Sequence, residues 1–206
     1  MNDVVEHAVT ALRAGRPVVL PADTVYGLCA DAYREEPVLR LFRLKGRPES
    51  EPVALLGADL DTILDAVPEL RGRAAVTARA LLPGPYTLVL PNPARRFRWL
   101  AGSRPDTIGI RVPFLPAESR AVVERIGVVA ATSANSHGGA DPRRVEDVPE
   151  AIRSQVAAVI DVGELPGTPS TVVDLSGPEP AILREGAVPV DEAVSAIESA
   201  LAQRRA

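Results

Sequence analysis

The sequence predicts a mixed α/β fold of the α+β kind: a twisted sheet with parallel and antiparallel neighbours, flanked by helices. Three observations predict it. Short apolar runs alternate with amphipathic stretches along most of the 206 residues. The runs at 170–175 and 180–184 are joined too tightly for a crossover helix, and a parallel neighbour would need roughly a dozen or more connecting residues. Hydrophobic residues make up 46% of the chain, enough for a sizeable core, and no repeat, low-complexity tract or linker divides it. Residues 1–206 therefore read as a single domain.

The elements follow in order. Val4, Val5, Ala8, Val9, Ala11 and Leu12 fall at helical spacing, with Asp3 as N-cap and Gly15 as stop. A strand is expected at about 17–21, then a polar stretch through Asp23, Thr24 and Tyr26, then a helix over 35–44. A short buried strand at 53–56 precedes helices at 58–66 and 68–82, the second entering through Pro68 and closing before Pro83-Gly84-Pro85. Strand patterns recur at 86–91, 107–113 and 127–132, with a helix at 116–126 between the last two. A helix over 145–154, strands at 156–162, 170–175 and 180–184, and a terminal helix capped by Asp191 and running to about Gln203 complete the reading.

Composition removes several function classes. No run of about eighteen uncharged apolar residues exists, so no membrane span is expected. Residues 1–16 place Asp3, Glu6, Arg13 and Arg16 at helical intervals and lack the apolar core of a signal peptide. Cys29 is the sole cysteine and His7 and His137 the only histidines, which argues against disulfides and thiolate or His-rich metal centres. A cytoplasmic protein without a metal site of its own is expected. The net charge of −4 speaks against a surface built mainly for nucleic acid. Lys45 is the only lysine among 23 basic residues.

Four places combine an expected strand or helix end with polar side chains. The stretch "VVLPADTVYGLCADA" leaves a strand through Asp23, Thr24 and Tyr26. "LKGRPESEP" ends a helix at Gly46 with Lys45 and Arg47 presented side by side. In "DTIGIRVP" the alternation puts Thr107, Gly109 and Arg111 on one face and Ile108, Ile110 and Val112 on the other. "ATSANSHGGADP" closes a strand with Thr132, Ser133 and Asn135 before a glycine-rich loop. Singly, each has a structural explanation: Thr24 and Ser133 as helix caps, Arg111 paired with a structural carboxylate, the glycine loop as a plain turn. Together, cations, hydroxyls and small residues at several strand ends describe a polyanion site. The chain has no P-loop and no dinucleotide fingerprint, nor a Ser/His/Asp set. What remains is catalysis without a protein nucleophile, with arginines and a lysine stabilising phosphate charge.

The motifs "PADTVYGLCADA", "LKGRP", "PGPYTLVLP", "RWLAG", "TIGIRVP", "TSAN" and "PSTVVDL" followed by "ILREG", in this order, resemble the YrdC-type threonylcarbamoyl-AMP synthases. The resemblance runs from about Gly15 to Gly186. It implies a YrdC-like sheet and synthesis of L-threonylcarbamoyladenylate from L-threonine, bicarbonate and ATP with Mg²⁺, releasing pyrophosphate. Partner proteins would then transfer the threonylcarbamoyl group to tRNA beside the anticodon, with weak or no direct RNA binding by this chain. It also implies roles. Lys45 and Arg47 are the expected catalytic cations. Thr24, Arg111, Thr132 and Ser170 match threonine-binding positions, with Tyr26 and Val25 shaping a wall for the methyl. Arg47, Thr107, Ser133, Asn135, Asp141 and Arg184 match ATP-contacting positions. Longer members carry an additional C-terminal domain, and ending at Ala206 resembles the short form.

Three positions depart from the family pattern. Ala22 stands where a threonine is usual, Glu51 where a lysine or asparagine is common, and Leu56 where some members have histidine. Glu51 bears most directly on nucleotide affinity. These departures keep a second reading open, a YciO-type paralogue that binds RNA or nucleotide with little synthase activity. A third, a non-enzymatic RNA-binding module, rests on "ARRFRW" (94–99), with Trp99 folded inward as its structural counterpart.

Overall fold

A computed structural model describes residues 2–202. Its core is one nine-stranded mixed sheet, in the order β7-β1-β2-β6-β3-β5-β4-β8-β9. The strands are β1 (Val18–Pro21), β2 (Tyr26–Asp31), β3 (Ala54–Gly57), β4 (Tyr86–Pro91), β5 (Thr107–Arg111), β6 (Val128–Ser133), β7 (Ala158–Val159), β8 (Thr171–Asp174) and β9 (Ala181–Arg184). The pairs β1–β7, β3–β5 and β4–β8 are parallel and the rest antiparallel, including β8–β9 across its short connection, as the spacing required.

Among the described residues seven α-helices pack on this sheet: α1 (Asn2–Arg13), α2 (Glu35–Lys45), α3 (Leu60–Ala66), α4 (Gly72–Leu81), α5 (Ala117–Ile126), α6 (Glu150–Arg153) and α7 (Val190–Ala202). One sheet face carries Tyr26, Leu28, Leu55, Leu88, Ile108, Ile110 and Val173, and the apolar sides of α2, α3, α4 and α7 cover it as the main core. The opposite face is divided. α1 and α5 cover its β7, β1, β2, β6 and β3 portion, burying Leu12, Val18, Val122, Val123, Val129 and Ala158. The β5, β4 and β8 portion of that face carries no helix core, and the cavity described below opens there.

Several boundaries differ from the sequence reading. β2 departs from the sequence expectation, because one face holds Gly27 and Cys29 on the cavity wall and Asp31 beside Arg34 in place of an apolar series. Asp3 lies inside the first turn of α1 and Asp191 inside that of α7, where a carboxylate still suits the helix dipole. The expected helix at 68–82 begins only at Gly72, since Leu70 drops into the core and Arg71 is extended. The helix at 145–154 splits into a 3₁₀ turn (Val145–Asp147) and α6. Pro149 lacks an N–H and holds Val148 extended. The strand at 156–162 shortens to two residues. Gln203, the expected end of the last helix, lies outside the described residues. No helix among the described residues is long and apolar enough to cross a membrane.

Candidate active site

A cavity of about 300 Å³ opens on the uncovered half of the second sheet face. β5 supplies part of its floor, with Thr107, Gly109 and Arg111 facing the cavity and Ile108 and Ile110 in the core behind, as the alternation predicted. Thr87 of β4, Thr132 and Ser133 of β6, Ser170 before β8 and Arg184 of β9 extend the wall, and Arg47 and Asp141 close it from two loops. Of the expected site residues, Arg47, Thr107, Arg111, Thr132, Ser133, Asp141, Ser170 and Arg184 meet on this one cavity. Lys45, Thr24 and Asn135 do not line it. They are buried behind it.

The local sequence explains these placements. α2 ends at Gly46, which takes the left-handed conformation (φ 63°) that glycine adopts without strain. The last helical residue, Lys45, points inward, and Arg47, one residue past the cap, reaches the cavity. The two are therefore not side by side. Lys45 Nζ donates to Ser133 O (2.5 Å), Asn135 O (2.7 Å) and Asn135 Oδ1 (2.6 Å). Ser133 Oγ donates to Asn135 Oδ1, and Asn135 Nδ2 donates to Gly139 O. The ammonium thus fixes the turn that presents Ser133 and starts the glycine-rich loop. Burial, and then the neighbouring Arg47 charge, push Lys45 down to about 8. Gly102 of the "RWLAG" motif lets loop 46–52 pack close, for a Cβ there would collide with Ser50 and Glu51 backbone atoms.

Arg111 Nη2 donates to Asp23 Oδ1 (2.7 Å) and Thr24 Oγ1 (2.5 Å). The guanidinium inside a strand therefore has its carboxylate, and Thr24 acts from behind it. Tyr26 does not form a wall of the cavity. It lies on the other sheet face, where its hydroxyl donates to Gly163 O (2.7 Å). Val25 does line the cavity. Arg184 Nε and Nη2 donate to Ser170 O, and Ser170 Oγ shares a hydrogen bond with Thr87 Oγ1 (2.8 Å). Burial lowers Arg47 and Arg184 from the ordinary guanidinium value, though neither loses its charge near neutral pH. Cys29, also on the wall, is pushed up to about 12 by burial and stays a thiol.

Among the described residues, two buried side-chain donors have no acceptor: Arg47 Nε and Arg111 Nε. A buried, unsatisfied guanidinium N–H is costly, and each lies on a residue of the cavity wall. Asp141 is the only carboxylate-bearing residue on that wall among the described residues, against Arg47, Arg104, Arg111 and Arg184. The cavity is cationic, with hydroxyls and apolar side chains between the charges. It suits a small molecule bearing several anionic oxygens. Arg104 and Thr87 were missed by the sequence reading. Arg104 precedes the strand motif and gives no periodic signal, and its guanidinium meets Asp174 (2.8 Å) only through the fold. The "ARRFRW" segment is not a free basic-aromatic surface. Trp99 Nε1 donates to Ala32 O, and Arg96 Nε and Nη2 donate to the two Glu69 carboxylate oxygens.

The Sua5/YciO/YrdC family model, described as telomere recombination, matches residues 10–186. A threonylcarbamoyl-AMP synthase of Pyrococcus abyssi is 35% identical over 182 residues, covering 88% of this chain and 53% of that protein. The chain thus spans about half the length of that relative. The structure of P. abyssi Sua5 complexed with L-threonine matches with a TM-score of 0.85 at 34% identity, over 94% of this chain and 57% of that one. E. coli YciO matches with a TM-score of 0.82 at 27% identity, over 93% of both chains.

Proposed function

The chain belongs to the Sua5/YciO/YrdC family, and on that basis we propose that it joins L-threonine, bicarbonate and ATP into L-threonylcarbamoyladenylate, releasing pyrophosphate. The observation that carries this reading is the pair of buried, unpartnered guanidinium donors, Arg47 Nε and Arg111 Nε, on one cavity wall. Anionic oxygens of a ligand satisfy both. Arg111, steadied by Asp23 and Thr24, takes the threonine carboxylate through its free Nε–H. Thr132 and Ser170 offer hydroxyls to the substrate amine and hydroxyl, and Val25 packs on its methyl. Arg47, Arg184, Thr107 and Ser133 bind the triphosphate, which brings Mg²⁺ as part of the substrate. Asp141 borders the nucleotide. Lys45 and Asn135 hold Ser133 and the glycine-rich loop in place.

Bicarbonate takes up a proton and loses water to give CO₂, and the threonine amine adds to that CO₂ and releases a proton to give a carbamate. A carbamate oxygen attacks the α-phosphorus. The bond from that phosphorus to its leaving oxygen breaks, and pyrophosphate departs. No side chain becomes covalently bound. The protein acts by holding two anions together against their repulsion and by stabilising charge on the phosphate in flight. The adenylate is a mixed anhydride, suited to onward transfer by partner proteins to tRNA in the cytoplasm. Weak or no direct RNA binding by this chain accords with its net charge of −4.

The test is incubation of the pure protein with ATP, Mg²⁺, labelled bicarbonate and each amino acid in turn. A labelled adenylate formed with threonine supports the reading. Nucleotide binding without labelled product for any amino acid would favour the second reading, a YciO-type paralogue with little synthase activity. The match to E. coli YciO along nearly the whole of both chains and the occupation of Arg47 by Glu51 speak for that alternative.

A further inference from the structure

Loop 46–52 and loop 136–140 meet at the rim of the cavity through one side chain. Glu51 Oε2 lies 3.1 Å from Arg47 Nη2, and Glu51 Oε1 lies 3.3 Å from His137 Nε2. Loop 136–140 is tied to the end of α2 by His137 N, which donates to Lys45 O at 2.8 Å, and loop 46–52 is tied to the segment before β5 by Ser103 N, which donates to Ser50 O at 2.9 Å. The Glu51 backbone is held, while its side chain is 37% exposed and has a cation or N–H donor on either side. Arg47, by contrast, is largely enclosed. Besides the Glu51 contact, its Nη2 donates to Pro52 O, and its buried Nε has no acceptor. A carboxylate therefore covers the Nη2 side of a guanidinium whose buried Nε–H still lacks a partner. That is the position an anionic ligand oxygen would take.

We infer that Glu51 is a displaceable internal counter-ion that sets the protein's affinity for polyphosphate. It pairs with Arg47 when no anion is bound and gives way when phosphate oxygens arrive. His137 offers the released carboxylate a second seat through its Nε2–H. The inference rests on the nucleotide-binding part of the proposed function, not on the chemistry that follows. Its consequence is quantitative. A ligand that needs Arg47 free binds with an affinity reduced by the fraction of time Arg47 is free. His137 weakens the competition by drawing Glu51 away.

The experiment titrates inorganic tripolyphosphate, without and with Mg²⁺, into wild type, Glu51→Gln, His137→Ala and the double variant, and reads affinity by calorimetry. Glu51→Gln is expected to bind tripolyphosphate about threefold to tenfold more tightly, the equivalent of one partly exposed ion pair. His137→Ala is expected to bind more weakly than wild type, and to have no effect in the Glu51→Gln background. Unchanged or weaker binding by Glu51→Gln overturns the inference. So does weakening only in the presence of Mg²⁺, which would assign Glu51 to the cation. So does a His137→Ala effect that persists without Glu51. Because the readout needs no turnover, failure to form adenylate would remove the synthase reading and leave this result standing.

Discussion

At the scale of single residues, Arg47 and Lys45 differ more than their shared motif suggests. Among the described residues Arg47 bonds only Pro52 O and the partly exposed Glu51, so Arg47→Ala is expected to change stability by less than about 1 kcal/mol. The same change should cut threonine-dependent pyrophosphate release by about 10²–10³, as for other charged donors to a developing oxyanion. Thermal melts and a pyrophosphate assay check both halves. Lys45 is different because its ammonium meets three acceptors from Ser133 and Asn135. Lys45→Met leaves buried oxygens unpaired and should cost about 1–3 kcal/mol. Its pH dependence has a definite sign. With the folded value near 8 against an ordinary 10.5, the unfolded chain holds a proton between those values that the folded chain has lost. Wild type should therefore gain stability relative to Lys45→Met as pH rises from about 8 to 10.5. Urea melts across that range measure it, and a flat difference would mean that the three acceptors fully offset burial. The sequence marked Lys45 by its uniqueness and Arg111 by its place in an apolar strand. Lys45 continues the Val38, Leu41 and Phe42 series on the buried face of α2, and the left-handed Gly46 cap takes Arg47 out of that line.

At the scale of elements, β5 is where pattern and site agree. Its even positions fill the core and its odd positions face the cavity. Gly109 sits in the middle of the cavity face, and a Cβ there meets only Thr87 Cγ2 at 3.8 Å and Ala54 Cα at 3.9 Å, ordinary contact distances. Gly109→Val suits a strand and should leave the melting temperature equal or slightly raised. Its methyls project over the cavity floor, so substrate binding should fall by at least an order of magnitude, about the effect of 1.4 kcal/mol. Calorimetric melts beside threonine and ATP titrations separate the outcomes. A fall in both stability and binding would contradict the placement. Elsewhere the elements were legible where apolar spacing was regular and lost where it was not. β2 gives no strand signal because its second face carries Gly27 and Cys29 on the cavity wall and Asp31 paired with Arg34, where a core strand carries apolar residues. The 145–154 helix was overextended because spacing ignored Pro149.

At the scale of the whole molecule, the site exists because helices cover unequal areas of the two sheet faces. α1 and α5 stop short of β5, β4 and β8, and over this strip Arg111 of β5 meets Arg184 of β9, Arg47 from the loop after α2 and Arg104 from the segment before β5. The turn between β1 and β2 is held to β5 by the Asp23–Arg111 contact, which reaches past β6 and β3 in the sheet order. Asp23→Ala removes the counter-ion of an Arg111 side chain only 13% exposed. It should destabilise the fold by about 3 kcal/mol, the low end for a broken buried pair, because the guanidinium can still turn toward the cavity. A drop in denaturant midpoint at unchanged m-value checks it. From the sequence alone came the layered mixed sheet, the antiparallel β8–β9 pair, the inward and outward faces of β5, and the family motifs in order. These depend on local spacing, which a chain carries wherever it folds. Tertiary structure alone decided that Arg47, Arg111 and Arg184 share a cavity, that Lys45 and Thr24 stand behind it, and that Glu51 lies between Arg47 and His137. Such relations join residues far apart in the chain, and only the packed order of the strands sets the distances between them.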